Sequence, residues 1–124
     1  MRSALFVDFD NVYSGLRRLD PAVAERFAFQ PINWMRWLTD SLMVPPHAPD
    51  GAKRRLLVRR CYLNPQAYQR FRPAFNRAGF EIIDCPPMTS EGKTSTDIHM
   101  VLDVVDLLQH EVHYDEFIVF SADA

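Results

Sequence analysis

The chain opens with four apolar residues, Ala4-Leu5-Phe6-Val7, which end at once in Asp8-Phe9-Asp10-Asn11 before helical spacing sets in. A short apolar run of this kind reads as a strand buried on both faces of a parallel sheet, delivering its acids to the sheet's carboxyl end. That edge is where open α/β sheets hold their ligands. A competing reading makes Asp10 or Asn11 the cap of a helix beginning at Val12, a role both residue types fill well. Such a cap accounts for one acid and leaves the other unexplained.

The same theme closes the sequence, where Phe117-Ile118-Val119-Phe120 runs into Ser121-Ala122-Asp123. Between the two, Leu56 to Leu63 and Phe80 to Asp84 read as further strands. Helical spacing fills the gaps. One helix covers Val12 to Leu19 and is closed by Asp20-Pro21, because the residue before proline is pushed out of the α region. A second starts near Pro31 and runs through Met35, Leu38 and Leu42. A third extends from Pro65 to Gly79, with Pro73 predicting a kink or break. The fourth, Ser95 to His110, carries an apolar stripe of Ile98, Val101, Leu102, Val105 and Leu108, widened by Met100, Val104 and Leu107. So broad an apolar surface predicts cover on more than one side. The Pro-rich stretch Val44 to Gly51 is a loop. Strands alternating with helices predict a three-layer α/β sandwich around a central, mostly parallel sheet.

A chain of 124 residues, 48% of them hydrophobic, is expected to form a single globular domain over 1–124. The net charge of -2 argues against wholesale attraction to nucleic acid, so any polyanion site must be local. Basic residues do clump, at Lys53, Arg54, Arg55, Arg59 and Arg60 and again at Arg70, Arg72 and Arg77. An ordinary solvated face explains them equally well. Cys61 and Cys85 lack zinc-like spacing and fit buried reduced thiols of a cytoplasmic protein. Neither a signal-peptide pattern nor a membrane-length apolar run is present, so no membrane partner is expected. The sequence stops one residue after Asp123, before any helix that would cover the last strand. A missing carboxy-terminal piece is therefore expected, and with it an apolar patch that makes a homo-oligomer through the carboxy-terminal region.

Carboxylates gathered from separate strand ends repel one another unless a cation lies between them. Hard oxygen donors of this kind suit Mg²⁺ or Mn²⁺, which also take phosphate oxygens of a substrate. With such ions a phosphodiester is hydrolysed by activated water, and no histidine or cysteine nucleophile is needed.

The blocks FVDFDNVY, GKTSTDIHMVLDVVDLL and FIVFSADA span nearly the whole chain, and in that order they resemble the NYN-domain family, PIN-like metal-dependent ribonucleases. The resemblance implies a PIN-like, Rossmann-type fold and a metal-dependent endoribonuclease acting on RNA, single-stranded in the simplest case. It implies Asp8, Asp97 and Asp123 as the catalytic, metal-binding acids, with Asn11 supporting the first and Asp103 a second helix acid near the site. Asp10 and Ser121 are further polar groups at the strand ends, and Lys93, Thr94 and Ser95 form a loop suited to substrate phosphate. The family's last block continues into another acid and an aromatic residue, which this chain, ending at Ala124, lacks.

Each candidate has a plainer explanation. Thr94 and Asp97 also fit a capping box. Asp103 and Asp106 fit the solvated side of a helix, Lys93 a solvated lysine, and Ser121 the end of a strand. Two rival functions stay open. Asp8-Phe9-Asp10-Asn11-Val12 resembles the D-x-D-x-T/V signature of haloacid-dehalogenase-like phosphatases. There Asp8 would be the nucleophile, Asp10 the general acid/base, and Lys93 the group that neutralises the aspartyl phosphate. The other rival is a catalytically silent RNA-binding or protein-interaction module on the same fold, with Tyr13, Tyr62 or Tyr68 stacking on bases beside arginines.

Overall fold

Strands β1 Arg2–Asp8, β2 Arg55–Leu63, β3 Glu81–Asp84 and β4 Glu116–Phe120 form one sheet in the order β3-β2-β1-β4. Every pairing is parallel. These features come from a computed structural model that describes residues 1–86, 96–109 and 113–121, the side chains of Thr96 and Asp97 excepted. The chain moves outward from β1 to β2 to β3 and then returns across the sheet to lay β4 on the other flank of β1. That reversal makes the gap between the carboxyl ends of β1 and β4 the switch point of the sheet, the place where such folds bind ligands.

Helices α1 Phe9–Leu19, α2 Pro21–Phe29, α3 Pro31–Asp40, α4 Pro65–Tyr68 and α5 Arg72–Arg77 fill the connections before β3, and α6 Thr96–Leu108 fills the one after it. The side-chain alternation of β1 divides the core in two. Leu5 and Val7 point to the larger core with Phe9, Cys61, Leu63, Phe71 and Phe75. Ala4 and Phe6 point to a smaller one shared with Tyr62, Met100 and Leu107 of β2 and α6. Phe9 centres an aromatic cluster in the larger core, its ring 5.6 Å from Tyr13, 5.2 Å from Phe71 and 5.4 Å from Phe75. Phe9 is wholly buried there and anchors the start of α1 between the two acids.

Three departures from the sequence pattern have physical causes. The segment after Leu19 forms a helix, because Asp20-Pro21 starts α2 as well as ending α1. The Asp20 carboxylate accepts the Ala22 N–H at 3.0 Å, and Pro21 takes the first helical turn. Pro73 breaks its helix as expected, leaving α4, a 3-10 turn at Gln69–Phe71 and α5. In α6 the expectation of cover on several sides is corrected. The stripe of Ile98, Val101, Leu102 and Leu108 is about 60% exposed, while the narrower row with Met100 and Leu107 is the buried one. Only α6 lies on that face of the sheet among the described residues, so nothing there packs against its outer side.

The basic clump is not a free polyanion surface either. Arg54 is buried and paired with Glu116 at 2.5 Å, and Arg59 donates to the carbonyls of Leu56 and Ala78. Arg60 pairs with Glu81, and Arg72 with Asp84. Cys61 and Cys85 are both buried. No helix among the described residues is long and apolar enough to cross a membrane.

Candidate active site

Asp8 is the last residue of β1 and also the N-cap of α1, since strand passes into helix without a loop. The cap expected at Asp10 or Asn11 is therefore corrected to Asp8, one turn earlier. Its carboxylate accepts the Asn11 backbone N–H at 3.5 Å and the Asn11 side-chain amide at 2.7 Å. Asn11 thus fixes the orientation of the Asp8 carboxylate. Asp8 is wholly buried. In register it lies beside Tyr62, and so in the row that faces α6, one step beyond Phe6.

Asp10 sits in the first turn of α1 and accepts the backbone N–H of Asn64 at 3.1 Å. Asn64 ends β2 and caps α4, with Pro65 following as the first helical residue. This one bond ties the carboxyl ends of β1 and β2 together. Burial raises the Asp10 carboxyl to about 6; the Asn64 N–H pulls the other way, and the charge of Asp8 adds to the rise. Two acids two residues apart thus compete for charge at the rim of the sheet. A carboxyl that titrates near neutrality at a ligand-binding edge is a recurrent mark of a working site.

On the α6 side, the Tyr62 hydroxyl donates to Asp103 at 2.5 Å, and Arg60 approaches the same carboxylate at 3.9 Å. Burial first, and then the bond to Asp103, push the Tyr62 hydroxyl well above its ordinary range. Asp103 is therefore a held group rather than a freely solvated one, and it reaches the neighbourhood of Asp8 through Tyr62. Ser121 follows β4 directly, and the pairing of Val7 with Phe120 sets it level with Asp8 across the switch point. Asp97 is the second residue of α6, and the helix places it no more closely than that. Its side chain, together with Lys93, Thr94, Ser95 and Asp123, lies outside the described residues. Among the described residues no group of three metal-ligating side chains converges.

The structure thus brings together Asp8, Asp10, Asn11 and, through Tyr62, Asp103, with Ser121 facing them. Sequence reasoning missed Asn64, and it offered Tyr62 as a base-stacking residue where the structure buries it and bonds it to Asp103. The Asn64-Pro65 pair carried a usable signal, a capping residue followed by a first-turn proline at a strand end. Tyr62 had none, because its partner lies 41 residues away.

The chain matches the family described as the NYN domain over residues 2–124. It belongs to the NYN domain family. NYN domains are generally nucleases, so membership gives the chain a nuclease-like, RNA-related function, and nucleases of this kind typically use divalent metal ions. No curated protein and no solved structure matches the chain. Within the NYN frame the phosphatase alternative loses its footing. Helix α1 begins at Phe9, which leaves no residues for a flap after the acidic motif, and Asp10 is engaged with the Asn64 backbone.

Proposed function

We propose that this NYN domain is a metal-dependent endoribonuclease that hydrolyses phosphodiesters of single-stranded RNA at the carboxyl edge of its sheet. The observation that carries the proposal is the wholly buried carboxylate of Asp8 at the switch point, with Asp10 beside it raised to about 6. Both acids also serve the fold, Asp8 as a helix cap and Asp10 as a tie to Asn64, yet as neighbouring like charges they repel unless something offsets the repulsion. Their oxygen-only donor chemistry fits a hard divalent ion, Mg²⁺ or Mn²⁺. Asp8 would hold it with Asp97 and Asp123. When bound, such an ion supplies stabilisation of charge developing on phosphodiester oxygens and lowers the pKa of water.

The chain's own residues then have distinct tasks. Asn11 fixes the rotamer of Asp8 through its amide and backbone N–H. Asp10 uses Oδ1 for the Asn64 N–H, which leaves Oδ2 to carry a proton near neutral pH. Asp103 is oriented by Tyr62, with Arg60 near the same carboxylate. Ser121, across the gap, offers a hydroxyl. Lys93, Thr94 and Ser95 complete the proposal as the loop that meets substrate phosphate.

Replacement of Asp8 by Asn tests it directly. Asparagine keeps the cap and the contact with Asn11, so the fold should survive. Mn²⁺-dependent cleavage of single-stranded RNA should fall by about 10³-fold, the scale of losing one preorganised electrostatic group. Mn²⁺ should raise the melting midpoint of the wild type and leave that of Asp8→Asn unmoved. Undiminished cleavage by Asp8→Asn would sink the proposal.

A further inference from the structure

Away from the acid edge, a cleft beside α1 combines unengaged cations with hydroxyl groups. Tyr13, Ser14, Arg17, Arg18 and Tyr68 line a hollow of about 430 Å³ between α1 and α4. Whereas Arg54, Arg59, Arg60 and Arg72 are bound to carbonyls or carboxylates, the exposed guanidinium groups of Arg17 and Arg18 make no hydrogen bond or ion pair with the described residues. The nearby carboxylate of Glu25 is already occupied by the Tyr13 hydroxyl at 2.7 Å. Ser14 and Tyr68 meet through their hydroxyls at 3.4 Å, a contact long enough to give way to an anion. Of the three tyrosines that sequence alone put beside arginines, Tyr13 and Tyr62 are buried, and only Tyr68 is partly open to solvent.

Both walls of this cleft start at the acid edge. Helix α1 leaves from Asp8, α4 from Asn64, and the Asp10 to Asn64 bond joins the two starting points. Asp10, Ser14 and Arg17 or Arg18 follow at three- and four-residue steps, which puts them along one side of α1. Arg17 then stands about 10 Å along the helix from Asp10. Arg18 also lines a second cleft, of about 510 Å³, whose far wall includes Phe120 and Ser121 at the switch point. A chain of phosphates leaving the acids along α1 therefore meets Ser14 and then Arg17 and Arg18, with Arg18 shared by both clefts.

The geometry points to a phosphate subsite: the cleft between α1 and α4 holds a backbone phosphate of the RNA strand while a neighbouring linkage lies at the acid edge. Arg17 and Arg18 neutralise it with donor geometry matched to phosphate oxygens, and the hydroxyls of Ser14 and Tyr68 donate to it. The inference rests on the ribonuclease reading for the identity of the polyanion. It also gives a chain of net charge -2 a local pair of cations for RNA, on the helix that leaves the acid edge.

The test is binding of a short fluorescein-labelled oligouridylate followed by anisotropy in EDTA, where no cleavage occurs. Arg17→Ala/Arg18→Ala should bind about tenfold more weakly, and its salt dependence should flatten by about 1.4 in log–log slope, the value for two lost contacts on a single strand. Arg17→Lys/Arg18→Lys should keep the slope, and Tyr68→Phe should lose affinity with the slope unchanged. Arg36→Ala/Lys53→Ala, which removes the same charge far from the cleft, should bind as the wild type does. Full affinity in Arg17→Ala/Arg18→Ala, or an equal loss in Arg36→Ala/Lys53→Ala, overturns the subsite. Complete displacement of the strand by millimolar inorganic phosphate overturns it too, by showing a pocket for free anions. Failure of the wild type to cleave RNA with Mn²⁺, alongside intact binding that depends on Arg17 and Arg18, breaks the ribonuclease reading and leaves the subsite standing.

Discussion

Each end of the sheet buries charge, and the two do it in opposite ways. At the amino end, Arg54 donates to Glu116 and to the carbonyls of Leu38, Leu42 and Met43, and the Ser3 hydroxyl completes the Glu116 carboxylate at 2.7 Å. Opposite charges meet there, and every donor has an acceptor. At the carboxyl end, Asp8 and Asp10 put like charges together, and amides of Asn11 and Asn64 donate to them. A balanced buried pair serves the fold, since its disruption strands a charge. Two like charges at a ligand-binding edge oppose the fold when both are ionised, and such an edge is a candidate site. Buried charge alone therefore does not mark a site. The sign of its neighbours does.

The contrast breaks most visibly at the balanced end. Arg54 and Glu116 have side chains only 3% and 9% exposed, so Arg54→Met leaves an uncompensated carboxylate and three orphaned carbonyls. A loss of about 3–5 kcal/mol in chemical denaturation is expected. Arg54→Met/Glu116→Leu should recover part of it, because the stranded charge is gone. If the double variant is as unstable as the single one, the pair is not the source of the loss. Equal stability of wild type and Arg54→Met would abolish the distinction between the two ends.

How much of this was legible in the chain follows from the range over which each feature is decided. Apolar runs that must be buried on both faces showed β1 and β4 directly, and the acids that follow them showed the edge that matters. Pro73 announced its own break. Asp20-Pro21 was ambiguous because the same two residues stop one helix and start the next. In α6 the sequence shows which residues are apolar, but which side has a neighbour depends on the number of helices on that face, a property of the whole fold. The burial of Arg54 could not be read locally, since its partner Glu116 is 62 residues away. The raised carboxyl of Asp10 likewise depends on burial by the folded chain, and the bond that moderates the rise comes from Asn64, 54 residues away.

A smaller effect should come from Tyr62, which links the acid edge to α6. Tyr62→Phe keeps the ring in its core and removes only the donor to Asp103, an acceptor whose side chain is 32% exposed. The expected cost is about 1.5–2 kcal/mol of stability, near the low end for a hydrogen bond to a charged group because water reaches the abandoned carboxylate. If Asp103 acts in cleavage through its orientation, kcat should fall while RNA binding in EDTA holds. A loss of stability without a change in kcat would leave Asp103 a purely structural acid.

The smallest expected change concerns Asp10, and it should have the opposite sign. Its carboxyl is raised from 3.8 to about 6 in the folded chain, so between those values the native state holds a proton that the unfolded state has released. The group costs nothing below about pH 4, and its penalty grows as pH rises through 6, with the full cost present above that. Asparagine mimics the protonated form, and its carbonyl can still accept the Asn64 N–H. In metal-free buffer Asp10→Asn should therefore be more stable than the wild type at pH 8, by about 1–2 kcal/mol once partial solvent access is allowed for. At pH 4 the two should unfold alike. Added Mn²⁺ should narrow the gap at pH 8 by stabilising the wild-type acids. A pH-independent difference, or a loss of stability at pH 8, would show that the carboxyl edge is as well balanced as the Arg54 end and that its acids are not held in opposition.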